Sequence, residues 1–362
     1  MDIFELLRMA KEKGASDLHL VVASPALIRV DGDLEQFNGT EPLMVTDINE
    51  AFLQITTPEE REHFHKQMEL DFGYSIAGVG HFRCNAARQR GAISLAVRLL
   101  PPKIPTVTEL ELPPIFEQLI MKQRGLILVT GPTGSGKTTT LAAMINHLNQ
   151  NDSRHIVTIE DPIEYVHPCH SSAITQRELF SDTMSFAQAL KHVLRQDPDV
   201  ILVGEMRDLE TAAAVLNVAE TGHLVLSTGH APSAPQAMER IIDLFPLHER
   251  SLAQARLASL LIAVMCQTLV PRADGSGRIA AIEIMLADSS VRNLLREGKL
   301  HQLANTIRTH RDIGMISLDE ALVDLYLRKV ITKETMMKFC NDRKEVEALI
   351  GGSRLGVAWA PG

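Results

Sequence analysis

Cysteine and aromatic residues are scarce in this chain. The four cysteines, Cys84, Cys169, Cys266 and Cys340, lie at least 74 residues apart in a sequence of 362 residues. This spacing excludes a secreted disulfide framework and a zinc site made from CxxC pairs, and it is typical of free thiols in a reducing compartment. One Trp and three Tyr also leave few side chains on which nucleic-acid bases could stack.

Positive charge is also in deficit. The chain has 36 Lys and Arg against 45 Asp and Glu, which gives a net charge of −9 at pH 7. A protein that binds a phosphate backbone needs a basic surface, because its affinity comes largely from cations that replace the counterions of the nucleic acid. We therefore expect no nucleic-acid partner.

Long apolar runs are missing, both at the start of the chain and within it. The longest run, residues 257–270, is interrupted by Ser259 and Gln267 and is shorter than the ~20 apolar residues of a membrane-spanning helix. The opening segment carries Asp2 and Glu5 where a signal peptide needs a basic and then an apolar stretch. We therefore expect a cytoplasmic protein that is not exported.

The remaining composition, with 45% hydrophobic and 22% charged residues, is that of a globular protein, and the length suggests two domains. Residues 1–100 combine a helical stripe with alternating strands, and Asp31-Gly32 predicts a hairpin turn. Residues 101–115 carry five prolines, which break regular structure. The sequence thus predicts a small α+β domain followed by a stiff linker.

From Gly125 onward, short apolar strands alternate with helices. This pattern is typical of a parallel sheet with helices on both faces, so we expect an α/β domain over residues 116–270. Residues 271–362 are expected to be mainly helical, apart from a hairpin across Asp274-Gly275 whose strands are QTLV and GRIAAIEIM. The final GVAWAPG is expected to be a frayed tail.

A complete phosphate-loop motif, G-x-x-x-x-G-K-[ST], directly follows the first strand of this α/β domain. Its glycines let backbone N–H groups turn inward around an anion, Lys137 can reach the outer phosphates, and the Thr138 hydroxyl can bind Mg²⁺. The candidate nucleotide-binding residues here are Gly131, Pro132, Thr133, Gly134, Ser135, Gly136, Lys137, Thr138 and Thr139. The motif predicts nucleoside triphosphate binding, against the alternative of a glycine-rich structural turn.

Hydrolysis also requires a carboxylate that orients the attacking water and helps to hold the metal ion. Acidic residues follow two strands: Glu160, Asp161 and Glu164 at the end of HIVTIE, and Glu205 after VILVG. The carboxyl ends of parallel strands share one edge of a sheet, which is where ligands bind. Either cluster alone could be a solvated strand end, whereas both clusters after a phosphate loop favour a catalytic site.

Two histidines flank a third strand. His223 precedes the buried run LVLS, and His230 follows the end of that strand. A histidine at a strand edge is more often structural than catalytic. Beside the two acidic clusters, however, His230 is a candidate for sensing the terminal phosphate.

In their order and spacing, these motifs resemble those of the secretion ATPase superfamily, and within it those of the type IV pilus retraction ATPases. The resemblance extends from about residue 1 to about residue 330 and rests on GASDLHL, RVDGDL, HFRCNAARQR, LVTGPTGSGKTTTLAAMI, HIVTIEDPIEYVH, LRQDPDVILVGEMRDLETAAAVL, ETGHLVLST and VRNLLREGKL. It implies a RecA-like ATPase core, a smaller PAS-like amino-terminal domain and a helical carboxyl-terminal region. It also implies ATP and Mg²⁺ as ligands and a homohexameric ring.

The resemblance assigns roles to the acidic residues and the histidines. Glu160, Asp161 and Glu164 match the family's Asp box, in which Glu164 is implied to lie near the attacking water. His223 and His230 match the family's His box. Both boxes are therefore expected to contribute to the nucleotide site.

Glu205 matches the family's atypical second Walker motif and is implied to be required for hydrolysis, where it would hold the metal ion together with Thr138. In the family's rings, the amino-terminal domain of one subunit covers the nucleotide of its neighbour. Arg83, Arg88 and Arg98 are therefore candidates to meet the γ-phosphate in trans, where a guanidinium stabilises developing charge. A strand with a solvated basic face is the alternative for each of them.

The segment VRNLLREGKL resembles a signature of retraction rather than assembly ATPases, although alone it is an ordinary helical stripe. The chain is also short for the extra amino-terminal domain of assembly and secretion relatives, and it lacks their paired-cysteine zinc motif. We therefore expect a retraction motor at the pilus base. There it would act peripherally on an inner-membrane platform protein of the PilC type and alongside other pilus ATPases.

The alternatives within this class are an accessory retraction ATPase of the PilU kind and an ATPase for pilus assembly or type II secretion. Outside this class, the alternatives are a regulatory nucleotide-binding module that does not cycle and a nucleic-acid motor. The acidic charge balance disfavours the nucleic-acid motor.

One departure from the family motif bears on turnover, because this chain has Thr228-Gly229-His230-Ala231 where the family reads T-L-H-T. The glycine loosens the backbone and the alanine lacks a hydroxyl. We expect an effect on the rate of hydrolysis more than on binding.

Overall fold

The computed structural model describes residues 2–30, 32–37, 39, 41–101 and 103–351 of the chain. Contacts divide the chain into two compact units, one formed by Met1–Lys103 with Asp161–Val166 and the other by Ile104–Glu160 with His167–Gly362. The bounds that the sequence suggests for the domains and the linker stay predictions. Among the described residues, no helix has both the length and the apolar composition needed to cross a bilayer.

Within its described residues, the amino-terminal unit contains three helices and an antiparallel sheet of six strands. In chain order its elements are α1 (Ile3–Glu12), β1 (Asp17–Leu20), β2 (Leu27–Val30), β3 (Asp33–Gln36), α2 (Val45–Ile55), α3 (Pro58–Gln67), β4 (Glu69–Ile76), β5 (Gly80–Gln89) and β6 (Ala92–Leu99). The strands lie in the order β3-β2-β1-β6-β5-β4. Val30 pairs with Asp33 across the expected hairpin turn, and Asp31 of that turn lies outside the described residues.

One face of this sheet is apolar and shares a core with the helices. On β5, Phe82, Cys84 and Ala86 are buried, because successive side chains of a strand point to opposite faces. Ile3 and Leu7 of α1 belong to the same core. The helix begins after Asp2, whose carboxylate accepts hydrogen bonds from backbone N–H groups of the first turn.

The second unit contains a sheet of seven strands and eleven α-helices within the described residues. In chain order its elements are α4 (Ile115–Ile120), β7 (Gly125–Thr130), α5 (Lys137–Asn151), β8 (His155–Glu160), β9 (Ala173–Glu178), α6 (Phe186–Val193), β10 (Val200–Glu205), α7 (Leu209–Glu220), β11 (Leu224–Gly229), α8 (Ala234–Asp243), α9 (Arg250–Leu260), β12 (Leu261–Pro271), β13 (Arg278–Leu286), α10 (Ser289–Arg296), α11 (Leu303–Thr309), α12 (Leu318–Leu327), α13 (Lys333–Phe339) and α14 (Arg343–Gly351). The strands lie in the order β13-β12-β7-β11-β10-β8-β9. Neighbouring strands run parallel, except for the antiparallel pair β12–β13.

The α/β class predicted from the sequence is confirmed in this unit. All six positions of β7 are buried, as expected for a central parallel strand covered on both faces. The hairpin expected across Asp274-Gly275 is formed by β12 and β13. However, β12 begins at Leu261, before the predicted QTLV segment, because it pairs with β7 from Leu261 onward. The expected frayed tail GVAWAPG lies outside the described residues.

The parallel strands bring the predicted site residues to one edge of the sheet. The phosphate loop follows β7, and His230 follows the neighbouring strand β11. Glu205 ends the next strand, β10, and Glu160 ends β8 beside it. Because all four strands run in the same direction, their carboxyl ends meet where ligands of such sheets bind.

Candidate nucleotide-binding and hydrolysis site

The phosphate loop spans residues 131–136 and joins β7 to α5. Gly131 and Gly136 have φ angles of +141° and +88°, which L side chains rarely adopt. Space is also restricted, since a Cβ atom on Gly131 would lie 2.3 Å from the carbonyl oxygen of Gln267 on β12. Glycine is therefore required at the start of the loop, where its conformation allows backbone N–H groups to face an anion.

Lys137, the first residue of α5, folds back over this loop. Its Nζ donates hydrogen bonds to the carbonyl oxygens of Gly131, at 2.8 Å, and of Pro132, at 3.0 Å. The ammonium is thus held at the loop, near the positive end of the α5 dipole. Phosphate oxygens can replace these carbonyls with stronger, charge-assisted hydrogen bonds.

Three hydroxyl side chains cluster where α5 begins. Ser135 is buried, and within the described part of the chain its Oγ atom has no hydrogen-bond partner. Thr138 and Thr139 are half-buried. A buried hydroxyl without a partner is costly, so a ligand of the loop can satisfy Ser135. A hydroxyl group can donate a hydrogen bond to a phosphate oxygen, and its own oxygen can bind Mg²⁺.

Glu205 and His230 lie side by side at the end of neighbouring strands. His230 Nε2 is 2.9 Å from Glu205 Oε1, and Arg207 Nε donates to Glu205 Oε2 at 2.7 Å. The Thr228 hydroxyl donates to the Gly204 carbonyl and ties the two strands together. Only 14% of the Glu205 side chain is exposed. The carboxylate is therefore held on both oxygens, by one imidazole and one guanidinium.

A cavity of about 370 Å³ opens beside this pair. Thr130 and Arg240 line it together with the apolar side chains Leu128 and Ile241. The cavity gives water a route to the Glu205 carboxylate, and an attacking water is what hydrolysis requires.

The residues predicted to form the Asp box are divided between the two units. Glu160 is buried, and its Oε1 accepts hydrogen bonds from the Thr158 hydroxyl at 2.6 Å and the Gln176 amide at 3.0 Å. Asp161 is exposed and Glu164 is half-buried, and both belong to the segment assigned to the amino-terminal unit. Their roles at the nucleotide stay predictions.

His167, which follows the Asp-box segment, is a buried histidine with an incompletely satisfied ring. Its backbone N–H donates to Gln176 Oε1 at 2.8 Å, while its Nδ1 has no hydrogen-bond partner in the described chain. Burial penalises the charged imidazolium and lowers the pKa of His167 to about 4. The ring is therefore neutral at pH 7.

Because of this residue, the protein is expected to become less stable as the pH is lowered. Between pH 6.5 and 4 the unfolded chain binds more protons at His167 than the folded chain, so the free energy of unfolding decreases as the pH falls through this range. From pH 6.5 to pH 5 the expected loss is about 2 kcal/mol. Urea denaturation of wild type and His167→Gln at both pH values measures it. The variant should lose much of the pH dependence, and the exposed-site control His63→Gln should keep it; equal slopes for wild type and His167→Gln would contradict the prediction.

The two histidines of the predicted His box lie at opposite ends of β11. His223 precedes the strand, and its Nδ1 is 2.9 Å from the Thr221 hydroxyl and 3.2 Å from the Val218 carbonyl oxygen. A strand of six residues is about 20 Å long, so His230 lies at the phosphate-loop edge and His223 at the other. The structure does not bring His223 to Glu205, and a role for it in hydrolysis stays a prediction.

The three candidate arginines do not share one face of the amino-terminal sheet. Arg83 and Arg98 are direct cross-strand partners on β5 and β6, and Arg98 Nε lies 2.9 Å from Asp17 Oδ1. Arg88, five positions after Arg83, is on the opposite face, and its guanidinium lies 5.4 Å from the centre of the Phe64 ring. Arg83 and Arg98 can therefore contact one anion together, whereas Arg88 cannot join them.

Two residues of this site were not predicted from the sequence. Arg207 holds Glu205, and alternation along an extended chain would have placed the two on the same side. Gln267 packs on the phosphate loop from β12. The sequence feature that could have identified it is its position as a polar residue within an apolar run.

Comparison with known proteins identifies the family of this chain. Residues 95–358 match the family model of the type II/IV secretion system protein. The chain is 44% identical over 334 residues to a Pseudomonas aeruginosa protein described as the type IV pilus retractation ATPase PilT, which covers 92% of this chain and 96% of PilT. It is 40% identical to the type IV pilus ATPase PilU of the same organism, over 97% of this chain and 91% of PilU.

Solved structures show the same fold. A crystal structure of the pilus retraction motor PilT with bound ADP is similar with a TM-score of 0.89 and 41% identity, over 96% of this chain and 99% of that one. The Legionella pneumophila ATPase DotB has a TM-score of 0.82 and 26% identity, over 97% and 96% of the two chains. The family model covers well over half of the sequence, and the relatives match it nearly end to end. The chain therefore belongs to the type II/IV secretion system protein family.

Proposed function

We propose that this chain is an ATP-hydrolysing motor that drives retraction of type IV pili. The observation that carries the proposal is the Glu205 carboxylate, held by His230 and Arg207 at the sheet edge that also bears the phosphate loop. A hydrolase needs a carboxylate that orients the attacking water, whereas a module that only bound nucleotide would not. The similarity to PilT along nearly the whole chain supports retraction, rather than assembly, as the process that the motor drives.

The residues of the loop bind and orient the triphosphate in this proposal. Backbone N–H groups of the loop and the Lys137 ammonium hold the β- and γ-phosphates, and Ser135 donates its hydroxyl to them. Thr138 and Glu205 would hold Mg²⁺, which when bound neutralises charge on the phosphate oxygens. Glu205 also accepts a hydrogen bond from the attacking water, and His230 keeps the carboxylate in position.

We further propose a homohexameric ring with nucleotide sites completed by a neighbouring subunit. Arg83 and Arg98 of one subunit would meet the γ-phosphate of the next, where two adjacent guanidinium groups can stabilise the charge of the transition state. Arg88 points to the other face of its sheet and is the weakest of the three candidates. We also propose that Glu164 lies near the attacking water and that His223 contributes to the nucleotide site.

The proposed site of action is the cytoplasmic side of the inner membrane at the pilus base. There the ring would act on a platform protein of the PilC type, together with other pilus ATPases. An accessory retraction ATPase is the second candidate, because PilU matches the chain almost as well as PilT does.

A deletion strain tests whether the chain drives pilus retraction or pilus assembly. Loss of this chain is expected to leave excess surface pili and to abolish twitching, because assembly continues without retraction. Pili counted by electron microscopy and colony spreading measure both effects. Complementation with the wild-type gene should restore both, and retained twitching would favour the accessory candidate. A strain without surface pili would contradict the retraction proposal and indicate an assembly ATPase.

A further inference from the structure

We infer that Gln267 is a positioning residue of the nucleotide site, which holds the phosphate loop from the neighbouring strand. It lies on β12, where it is only 3% exposed, in a strand whose other buried residues are apolar apart from Cys266. A buried amide is costly unless its polar atoms are bonded, so its presence at this point requires a physical reason. The inference concerns the same site as the proposed function and rests on it.

Gln267 contacts the loop at both ends. Its backbone carbonyl oxygen would lie 2.3 Å from a Cβ atom on Gly131, and its side-chain Nε2 would lie 3.0 Å from a Cβ atom on Gly136. Its Oε1 accepts a hydrogen bond of 3.0 Å from the hydroxyl of Thr140, a buried residue in the first turn of α5. The backbone of Gln267 thus lies against the first glycine of the loop, and its side chain lies against the last glycine and bonds to the helix that follows.

The strand that carries Gln267 is itself joined to the strand before the loop. Cys266 pairs with Thr130 in the register of β12 and β7, and the Thr130 hydroxyl donates to Cys266 Sγ at 3.0 Å. The loop begins at the residue after Thr130. Gln267 therefore acts from a fixed strand on a glycine-rich segment that would otherwise lose more conformational entropy on binding phosphate.

This arrangement predicts a specific kinetic signature. The Gln267–Thr140 hydrogen bond preorganises the loop and touches neither Glu205 nor His230. Its loss should therefore weaken nucleotide binding more than it slows hydrolysis of bound ATP. Thr140→Val and Gln267→Met each remove the bond while roughly keeping the shape of the side chain. We expect each to raise KM for ATP, and the dissociation constant of a fluorescent ADP analogue, about fivefold to tenfold, with kcat within about threefold.

Matched variants separate this role from a general loss of stability. Thr140→Ser keeps the hydroxyl and should bind nucleotide within about twofold of wild type. Thr306→Val removes a similarly buried helix hydroxyl away from the loop and should leave affinity unchanged. The double variant Gln267→Met with Thr140→Val should be no weaker than the worse single variant, because both changes remove the same bond.

The measured affinities of these variants distinguish a positioning role for Gln267 from a purely structural one. The inference is supported if KM rises in Thr140→Val but not in Thr140→Ser, and if the effects of Thr140→Val and Gln267→Met are not additive. Thr140→Val with a lowered melting temperature but affinity within twofold of wild type would overturn it, as would additive losses in the double variant. Wild-type protein that failed to bind ADP would contradict the proposed function together with the inference, whereas the two preceding results contradict the inference alone.

Discussion

Replacing Lys137 with alanine is expected to lower ATP hydrolysis by at least about a hundredfold and to abolish pilus retraction. The ammonium is held at the loop by the Gly131 and Pro132 carbonyls, where it can reach the outer phosphates. Alanine removes both the charge and its hydrogen bonds. Because this cation contacts the phosphates before and during the reaction, binding and turnover should both fall. Phosphate release and binding of a fluorescent ATP analogue measure the two effects.

A surface lysine is the matched control for this change. Lys191 on α6 forms an exposed ion pair with Glu210, and such pairs contribute little to stability. Lys191→Ala should therefore hydrolyse ATP at the wild-type rate. Turnover by Lys137→Ala within tenfold of that control would show that hydrolysis does not take place at the phosphate loop.

Changing Glu205 to Gln is expected to slow hydrolysis by about a hundredfold to ten-thousandfold while ATP stays bound. The amide has nearly the size of the carboxylate but offers one acceptor oxygen in place of two. Its NH₂ group replaces one of the two oxygens that face His230 and Arg207, and the amide cannot take up a proton from the attacking water. The phosphate loop and Lys137 are unchanged, so affinity for ATP should stay within a few-fold of wild type.

The control for this change is a carboxylate outside the site. Glu210 on α7 is exposed, and Glu210→Gln should hydrolyse ATP normally. If Glu205→Gln bound ATP no better than Lys137→Ala, then Glu205 would serve binding rather than hydrolysis, which would contradict the proposed role.

The parts of the site that are contiguous in sequence, or that end neighbouring parallel strands, could be predicted. The phosphate loop is a local motif between a strand and a helix, so its residues specify its geometry. Glu205 and His230 are 25 residues apart, and their proximity follows from the rule that parallel strands share a carboxyl edge. The α/β class followed from the alternation of strands and helices for the same reason.

Contacts between distant segments could not be predicted from a single sequence. Thr140 and Gln267 are 127 residues apart, and nothing local shows that β12 adds to the sheet next to β7. The apolar run before Gln267 fits a helix or a strand equally well, and pairing with β7 decides between them from Leu261 onward. The resemblance places His223 and His230 in one box, but they flank a strand that separates them by its full length.

The arginines show the reverse case, in which the sequence alone separates two of the three candidates. Arg83 and Arg88 differ by five positions on one strand, and an odd separation places two side chains on opposite faces. The alternation alone therefore separates them. The pairing of Arg83 with Arg98 depends on the register of β5 and β6, which only the structure supplies.

The central claim, hydrolysis at Glu205 beside the phosphate loop, is tested most directly by a single-turnover measurement of bound nucleotide and released phosphate in the same sample. Wild type, Lys137→Ala and Glu205→Gln each receive less than one equivalent of radiolabelled ATP with Mg²⁺. We expect wild type to convert ATP to ADP and phosphate, Glu205→Gln to retain unhydrolysed ATP, and Lys137→Ala to retain almost none. Phosphate release by Glu205→Gln at the wild-type rate would contradict the claim.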